Sequence, residues 1–342
     1  MSIHLVNILE ARQAVEILDS MAPRYLVDRA LHDAEINRDL LRSGPSFIPY
    51  MVEARLVESL ARSLGERSLG ALVGQRFDYN GFQGFAKYVL AAPDLAGALV
   101  RSRRAIPFIH PGAEFGLRLD GDNLIFHYRS GLETAVGHHH LSEGAIFLIA
   151  HVFRHYLGQE WRPEWIEMSI SGRREEARLQ DLTGIEVRGG AEILGMCVSI
   201  DDLVATNPTL PDASDLVTLS DLPVHMGVRP PKTMTDKVFE VMRLQLALGD
   251  LSEESVAHRL SIGTRTLQRA LQAEGISFRE IRSRFVEDRA RALLTESDLG
   301  IDEIALSLGY SEPNSFRRAF RQWTSRTPNQ FRKSSKKQSS AT

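Results

Sequence analysis

The sequence of 342 residues predicts an α+β domain followed by an all-α domain. Three observations predict this division: mixed helical and alternating patterns at the front, a cluster of five prolines between Asn207 and Lys232, and helical spacing alone behind it. Because clustered prolines resist helix and sheet, we place the boundary there. The expected parts are an α+β domain at 1–206, a linker at 207–232, an all-α domain at 233–334 and a disordered tail at 335–342.

Four helices are expected in the front domain. Apolar residues recur every three or four positions in 8–20, 51–64 and 82–102, as in amphipathic helices, and 142–156 reads as a long apolar helix.

Strands are expected between and after these helices. Alternating stretches at 115–119 and 124–128 flank Asp-Gly-Asp-Asn at 120–123, which predicts a β-hairpin. The stretches at 165–170 and 191–200 predict two further strands.

The composition excludes several classes of protein. The sequence contains no run of 18 apolar residues, so it predicts no membrane-spanning helix, and the first residues show no signal-peptide pattern. The single cysteine, Cys197, excludes an internal disulfide and is expected to be a core residue rather than a redox switch. These features predict a cytoplasmic protein.

Charge is distributed unevenly along the chain. From Lys232 to Thr342 there are 19 basic and 14 acidic residues, a net charge of +5, which leaves −8 for the rest of the chain. No acidic residue follows Glu312. A basic end on an acidic body indicates that the end meets a polyanion.

The rear part contains an internal repeat. Each copy has an apolar-Ala pair, a leucine three positions later and then an apolar-x-Arg-x-apolar pattern: Val256-Ala257, Leu260 and Leu267-Arg269-Leu271 in the first copy, and Ile304-Ala305, Leu308 and Phe316-Arg318-Phe320 in the second. Each copy fits a helix-turn-helix, in which a small residue lies where the second helix crosses the first. Thr264 and Ser311 are residue types preferred at the start of that second helix.

The second helix of each copy carries long polar side chains opposite its apolar face. They are Arg265, Gln268 and Arg269 in the first copy and Asn314, Arg317 and Arg318 in the second. Arginine pairs with guanine edges, and Asn or Gln pairs with adenine. The alternative is a helical bundle with solvated arginines, and the presence of two such copies in one basic domain favours DNA recognition.

These residues closely resemble the DNA-binding domain of the AraC/XylS family of bacterial transcription regulators. The second copy carries the signature, which comprises Arg291-Ala292-Leu293-Leu294, Ile304-Ala305, Leu308-Gly309-Tyr310, Phe316, Phe320 and Thr327-Pro328. The resemblance covers about 100 residues, from Thr235 to Arg332. It implies seven helices, two helix-turn-helix units reading adjacent grooves of promoter DNA, and base reading by the six residues named above. Pro313 departs from the polar residue that many members carry.

The front 200 residues resemble the arabinose-binding-like sensor domain of some members. This resemblance implies a small-molecule effector, without establishing a sugar. The partners expected are double-stranded DNA, the effector, a second copy of the chain and, for an activator, RNA polymerase.

One segment of the front domain suggests an effector. Glu167-x-Ser169-x-x-Gly172 is followed by Arg173, Arg174 and Arg178. The pattern is similar to the two-part motif of PilZ domains, which bind cyclic di-GMP, with Glu in place of Asp or Asn and the order reversed. Guanidinium groups stack on purines and pair with phosphates. The alternative is a strand, a turn and a solvated helix start.

Other candidate sites carry simpler interpretations. His151 and His155 share a helix face that suits zinc, and His138, His139 and His140 are near in sequence, but no further ligand completes a set at tight spacing, so we expect no metal. A second basic cluster, at 101–104, fits a solvated helix end.

Two other classes of function remain as alternatives. An enzyme tethered to DNA would need a nucleophile with its base, a phosphate loop or a metal set, and the sequence offers none of them, so no catalytic residue is assigned. A purely architectural DNA binder would not need the front domain. We therefore expect a DNA-binding transcription regulator controlled by a small molecule, either cyclic di-GMP or a sugar or other metabolite.

Overall fold

The chain divides between Pro230 and Pro231 into two units, Met1–Pro230 and Pro231–Thr342, which are described separately. The computed structural model describes residues 3–121, 123–170, 172–246 and 248–339. Within these residues, none of the helices combines the length and the apolar character needed to cross a membrane.

The first unit is an α+β domain. Its helices are α1 (Ile8–Met21), α2 (Arg24–Asp33), α3 (Arg38–Ser43), α4 (Tyr50–Leu64), α5 (Leu69–Gly74), α6 (Gly84–Leu90), α7 (Leu95–Ala105), α8 (His138–Leu157), α9 (Arg173–Thr183) and α10 (Leu222–His225). Its strands are β1 (Leu5–Asn7), β2 (Phe47–Pro49), β3 (Glu114–Asp120), β4 (Asn123–Arg129), β5 (Trp165–Glu167), β6 (Glu186–Arg188) and β7 (Leu194–Val198).

Two sheets are present in this unit. Strands β1 and β2 pair antiparallel, and the larger sheet has the order β3-β4-β7-β5-β6, in which only β5 and β6 are parallel. The predicted hairpin is confirmed, because β3 and β4 pair from Glu114↔Arg129 to Asp120↔Asn123. Gly121 stands at the turn with φ of +60°, which favours glycine.

The main core lies between the larger sheet and α8. Phe126 of β4 packs edge-on against Phe153 of α8, and the Trp161 ring stacks on the Phe153 ring with 4.5 Å between the centroids. Cys197 is buried in β7, and burial raises the pKa of its thiol to about 11. This environment agrees with a core residue, because a thiol that keeps its proton is a poor redox nucleophile.

One predicted helix is two helices. The stretch 82–102 is broken between α6 and α7, because Pro93 interrupts it and Asp94 caps α7 by accepting from the Gly97 N–H at 2.7 Å. The helices expected at 8–20, 51–64 and 142–156 are confirmed as α1, α4 and α8.

The segment predicted as a linker packs on the first unit instead. Val217, Leu222 and Met226 are buried in the core of that unit, and Asn207 donates to the backbone carbonyls of Leu90 and Ala92. Prolines prevent regular backbone hydrogen bonding, but they do not prevent neighbouring apolar side chains from being buried. The boundary accordingly moves to the end of the predicted segment.

The second unit is helical throughout its described residues. It contains the seven helices that the resemblance implied: α11 (Met234–Leu246), α12 (Glu253–Arg259), α13 (Thr264–Ala273), α14 (Phe278–Glu296), α15 (Ile301–Ser307), α16 (Pro313–Thr324) and α17 (Pro328–Ser339). The long α14 contacts α11 and also α15, α16 and α17, so it joins the two halves of the unit. Its start is fixed by a capping box between Ser277 and Glu280.

The predicted tail overlaps the last helix. The backbone of α17 is helical to Ser339, and the remaining residues, 340–342, lie outside the described residues.

Candidate nucleic-acid interface and ligand cavities

The first helix-turn-helix consists of α12 and α13. Ala257 is buried where the two helices cross, and Leu267 and Leu271 of α13 are fully buried. Ser261 turns the chain with φ of +55°. The helix begins one residue earlier than we predicted, because Gly263, with extended backbone angles, is the N-cap and Thr264 is the first helical residue. A glycine N-cap costs little relative to a side-chain cap.

The second helix-turn-helix consists of α15 and α16. Ala305, Phe316 and Phe320 are fully buried, as the repeat predicted. The N-cap of α16 is Glu312, so the prediction of Ser311 was wrong by one residue. Pro313 occupies the first helical position, where its missing N–H and fixed φ cost nothing. The departure at this position therefore has a structural role at the start of α16.

The polar side chains of α13 are available for contact. Arg265, Gln268 and Arg269 are all exposed. Within the described part of the chain, none of the three makes a side-chain hydrogen bond or an ion pair. Free donors on the outer face of a second helix are what base and phosphate contacts require.

The polar side chains of α16 are exposed but partly engaged. Arg317 donates to Oδ1 of Asn314 at 2.9 Å and pairs with Asp302 at the start of α15. Arg318 approaches Ser315 Oγ at 3.4 Å, a weak contact. Asp302 therefore occupies the guanidinium of a predicted base-reading residue, and sequence analysis did not identify it.

The predicted effector segment is divided by the structure. Glu167 lies in β5, where it pairs with Arg118 of β3. Ser169 and Arg178 line a cleft, and Gly172 precedes α9 with φ of +115°. Arg173 and Arg174 are exposed, and neither makes an ion pair with another described residue. The six residues therefore do not all face one cavity.

The cleft lies between the end of α4, the start of α8 and α9, and it has a volume of about 570 Å³. Three arginines line it, each beside a carboxylate: Arg62 with Glu58, Arg67 with Glu175 at 3.5 Å, and Arg178 with Glu143 at 3.9 Å. The Nε atom of Arg178 is buried without a hydrogen-bond partner among the described residues. The lining is polar and carries both signs of charge.

A possible cation-binding set lies in the same cleft. Glu58, His139 and His140 offer one ligand atom each within 4.8 Å of one another. Burial, together with His140, lowers the pKa of His139, which favours the neutral imidazole that a metal needs. Nδ1 of His140 lies 3.7 Å from Glu143. Such a set could hold a divalent ion, whereas His151 stacks on Tyr79 and His155 contacts Asn207.

An interior cavity lies between α7, α8 and the hairpin β3-β4. Its walls are mainly apolar, with Phe82, Phe85, Phe115 and Phe126 contributing aromatic rings. One end is polar: His110 Nε2 lies 2.7 Å from Glu10 Oε2, and His110 Nδ1 lies 2.7 Å from the Tyr128 hydroxyl. Sequence reasoning missed this site, although Glu10 and Glu53 interrupt apolar helix faces and could have signalled buried carboxyls.

The second unit contains two helix-turn-helix motifs, built on α13 and α16, and the first unit contains the cavities. Together they define a helix-turn-helix protein with a separate ligand-cavity domain. Residues 26–207 match the family model described as the arabinose-binding domain of AraC transcription regulators, and residues 256–334 match a helix-turn-helix domain model. The chain therefore belongs to the AraC family of transcription regulators, as the sequence resemblance predicted.

Curated relatives are also transcription regulators. The HTH-type transcriptional regulator VirS of Mycobacterium tuberculosis is 36% identical over 100 residues, which are 29% of this chain and 29% of VirS. The ornithine utilization regulator of Pseudomonas aeruginosa is 23% identical over 331 residues, covering 93% of this chain and 94% of the relative. The chain thus matches less than a third of VirS.

Solved structures of transcription regulators also match the chain. The transcriptional regulator CdpR from Pseudomonas aeruginosa is 18% identical with a TM-score of 0.40, over 95% of this chain and 98% of that chain. The DNA-binding domain of AdpA in complex with a target DNA is 24% identical with a TM-score of 0.25, over 29% of this chain and 91% of that chain.

Proposed function

We propose that the protein is a DNA-binding transcription regulator whose second unit reads DNA with α13 and α16 and whose first unit binds a small effector. The observation that carries the proposal is the pair of helix-turn-helix units, each with an apolar inner face and exposed Arg, Gln or Asn on the outer face. Arg265, Arg269 and Arg318 fit guanine edges or phosphates, and Gln268 and Asn314 fit adenine.

The test uses the full chain and a DNA fragment selected from a random library. We expect Arg269→Ala and Arg318→Ala each to weaken specific binding by about 1–3 kcal/mol in fluorescence anisotropy, the range for a lost base contact. The matched control is Arg243→Ala, an exposed arginine of α11 that pairs with Glu240. Unchanged affinity in both test variants would remove α13 and α16 as the reading helices.

For the effector we propose cyclic di-GMP, bound where α9 begins. The support is Arg173 and Arg174 at the N-terminal end of α9, which pair with no carboxylate of the described residues, and the neighbouring cleft, which Arg178 and Ser169 line. The N-terminus of a helix favours phosphate, and arginine pairs with phosphate and stacks on guanine. The cleft carboxylates work against a dianion, so the ligand must displace Glu143 or Glu175 from their arginines.

Calorimetric titration of the full chain separates this effector from the alternatives. Cyclic di-GMP is the probe, and GTP, arabinose and ornithine are the comparison ligands, since the matching family model is described by arabinose and one relative by ornithine. We expect micromolar or tighter binding that is lost in an Arg174→Ala, Arg178→Ala double variant and kept in Arg24→Ala, a surface control on α2. Binding that survives the double variant would place the effector elsewhere.

We further propose that two copies act together on promoter DNA and activate transcription through RNA polymerase. A dimer would present four recognition helices and raise affinity without new contacts per chain. Light scattering at micromolar concentration, with and without the effector, measures the mass of the assembly, and a monomer under both conditions would contradict the dimer.

A further inference from the structure

The interior cavity of the first unit has a larger compartment, which is the one between α7, α8 and the β3-β4 hairpin, and a smaller compartment beside it. Glu10, His110, Ala145 and Leu148 line both compartments. The larger has a volume of about 90 Å³ and the smaller about 40 Å³. A dry apolar cavity of roughly 150 Å³ takes a benzene ring. The two compartments together therefore suit a body the size of one ring or a short alkyl chain.

The larger compartment is unsuited to a sugar. Its walls come mainly from Phe82, Phe85, Phe115 and Phe126 and from aliphatic side chains of α7 and α8, with few polar groups among them. A sugar would leave several hydroxyls against apolar walls without partners, and a buried hydroxyl without a hydrogen bond is unfavourable. An apolar body fills the same space without this cost.

The polar end of the cavity is acidic. Glu10 of α1 is 4% exposed, and a carboxylate can only accept, so the Nε2–H of His110 donates to it. In the neutral tautomer Nδ1 of His110 then accepts from the Tyr128 hydroxyl, which keeps its proton because burial raises its pKa. His110 is thus fully engaged, and it holds Glu10 at the junction of the two compartments.

Glu53 is the second carboxyl at this end, and one of its oxygens has no partner. Glu53 of α4 is 4% exposed, lines the smaller compartment with Glu10 and Tyr50, and its Oε2 is buried without a hydrogen bond among the described residues. A buried polar atom without a hydrogen bond destabilises the folded state, because it has lost its contacts with water. A donor entering the cavity would remove this cost.

We infer that the cavity binds a small primary amine with an aromatic or short aliphatic body, the ammonium group contacting Glu53 and Glu10 and the body lying among the phenylalanines. The charge of Glu10, and that of Glu53 once it has lost its proton, attract a cation and repel a carboxylate of the same shape. The apolar walls select against amines whose body carries further polar groups. This site is separate from the cleft beside α9, so it extends the proposed sensing role without depending on cyclic di-GMP.

Binding should release a proton. Burial, and next the charge of Glu10, raise the pKa of Glu53 well above its usual value, so the empty site holds a proton on Glu53. When the ammonium enters, this proton passes to solvent and the carboxylate pairs with the cation. Affinity should then rise with pH below the pKa of the amine. The titratable groups around Glu53 are Tyr50 of its own helix and, from the elements packed against that helix, Glu10, His110, Tyr128 and His140.

The experiment is calorimetric titration of the full chain with phenethylamine, in two buffers of different ionisation enthalpy at pH 7 and pH 8. Phenylacetate, ethylbenzene and arabinose are the comparison ligands. We expect phenethylamine to bind at least tenfold more tightly than each of them, with release of close to one proton and tighter binding at pH 8.

Variants show which residues carry the binding. Glu53→Gln should weaken phenethylamine binding at least tenfold and abolish proton release, and Ala145→Leu should block binding by filling the space between the compartments. Glu16→Gln, an exposed position further along α1, is the control and should bind normally. Circular dichroism confirms that each variant is folded.

Three results would contradict the inference. If phenethylamine fails to bind, if ethylbenzene or phenylacetate binds as tightly, or if Glu53→Gln binds normally, the inference is wrong. Because no DNA or nucleotide is present, such a failure leaves the DNA-reading proposal and the cyclic di-GMP proposal to their own tests.

Discussion

Glu53 is a carboxyl group on a helix face that is otherwise formed by apolar residues. It lies on the buried face of α4, where the helical period otherwise places Val52, Ala54, Leu56 and Val57. Burying a carboxylate is costly, so the group takes a proton instead, and its pKa is raised by burial and by Glu10. A structural role alone would favour an apolar residue at this position.

Stability should therefore depend on pH through Glu53. Its folded pKa lies above the usual value of 4.5, so the folded state holds a proton that the unfolded state has lost, and stability falls as pH rises from about 4.5 to the folded pKa. We expect Glu53→Gln to raise the melting temperature of the first unit at pH 8 and to change it less at pH 5. The same gain at both pH values would show that Glu53 is not protonated in the folded state.

Arg317, one of the six predicted base-reading residues, forms an ion pair within the protein. Asp302, at the start of α15, accepts from its guanidinium, while Arg265 and Arg269 of the first helix-turn-helix have no such partner among the described residues. An exposed ion pair is worth about 0.2–1 kcal/mol. DNA can therefore displace Asp302, at a small cost in affinity.

Removing this competition should strengthen DNA binding. We expect Asp302→Asn to raise affinity about two- to fivefold, the factor that corresponds to a lost exposed ion pair. Asp288→Asn, an exposed carboxylate of α14, controls for the change in net charge alone. Anisotropy titrations at one salt concentration compare the two, and equal gains would assign the effect to charge rather than to Arg317.

At the scale of elements, the helical faces of α13 and α16 were predictable and their first residues were not. Apolar residues at intervals of four identify the inner face from the sequence alone, and Leu267, Leu271, Phe316 and Phe320 are indeed fully buried. The cap of α13 was placed one residue late, at Thr264, and the cap of α16 one residue early, at Ser311, because residue preference is weaker than the geometry of the turn. The predicted outward residues do not depend on this shift.

The inner face of α16 should determine the stability of the second helix-turn-helix. Phe320 is fully buried and packs edge-on against Phe331 of α17. We expect Phe320→Ala to lower the local free energy of opening by about 3–5 kcal/mol, since it leaves a cavity. Hydrogen exchange of α16 peptides measures this, and Arg321→Ala, an exposed neighbour, should stay within about 0.5 kcal/mol.

At the scale of the whole molecule, the second unit is organised by α14. This helix contacts α15 and α16 of the second helix-turn-helix directly, and it contacts α11, which packs against α12 and α13 of the first, so packing links the two motifs. We expect α13 and α16, joined through this bridge, to enter successive major grooves, about 34 Å apart.

The length of the bound DNA tests this arrangement. We expect one chain to protect roughly two turns of DNA from hydroxyl-radical cleavage, with protected grooves on one face. Shortening the selected site to half a turn should abolish specific binding, because only one recognition helix could then bind. Full affinity on the short site would mean that the two helix-turn-helix motifs do not read DNA together.

The limits of sequence reasoning are clearest in the segment 207–232. Its prolines were interpreted as a free linker, yet Val217, Leu222 and Met226 are buried on the first unit. Proline content reports on backbone hydrogen bonding, whereas burial depends on which surface lies beside the chain. Contacts between distant residues are invisible to a local pattern.

The sequence by itself determined the order of the two units, the hairpin, the helical repeat and the six outward residues of α13 and α16. These follow from local periodicity and residue type, which act over a few positions. Only the tertiary structure decided which residues meet across the chain. It joined Glu10, Glu53 and His110 around one cavity, placed Asp302 on Arg317, and separated Glu167 from Arg178. Such meetings depend on how helices and strands pack, and no spacing along the chain encodes them.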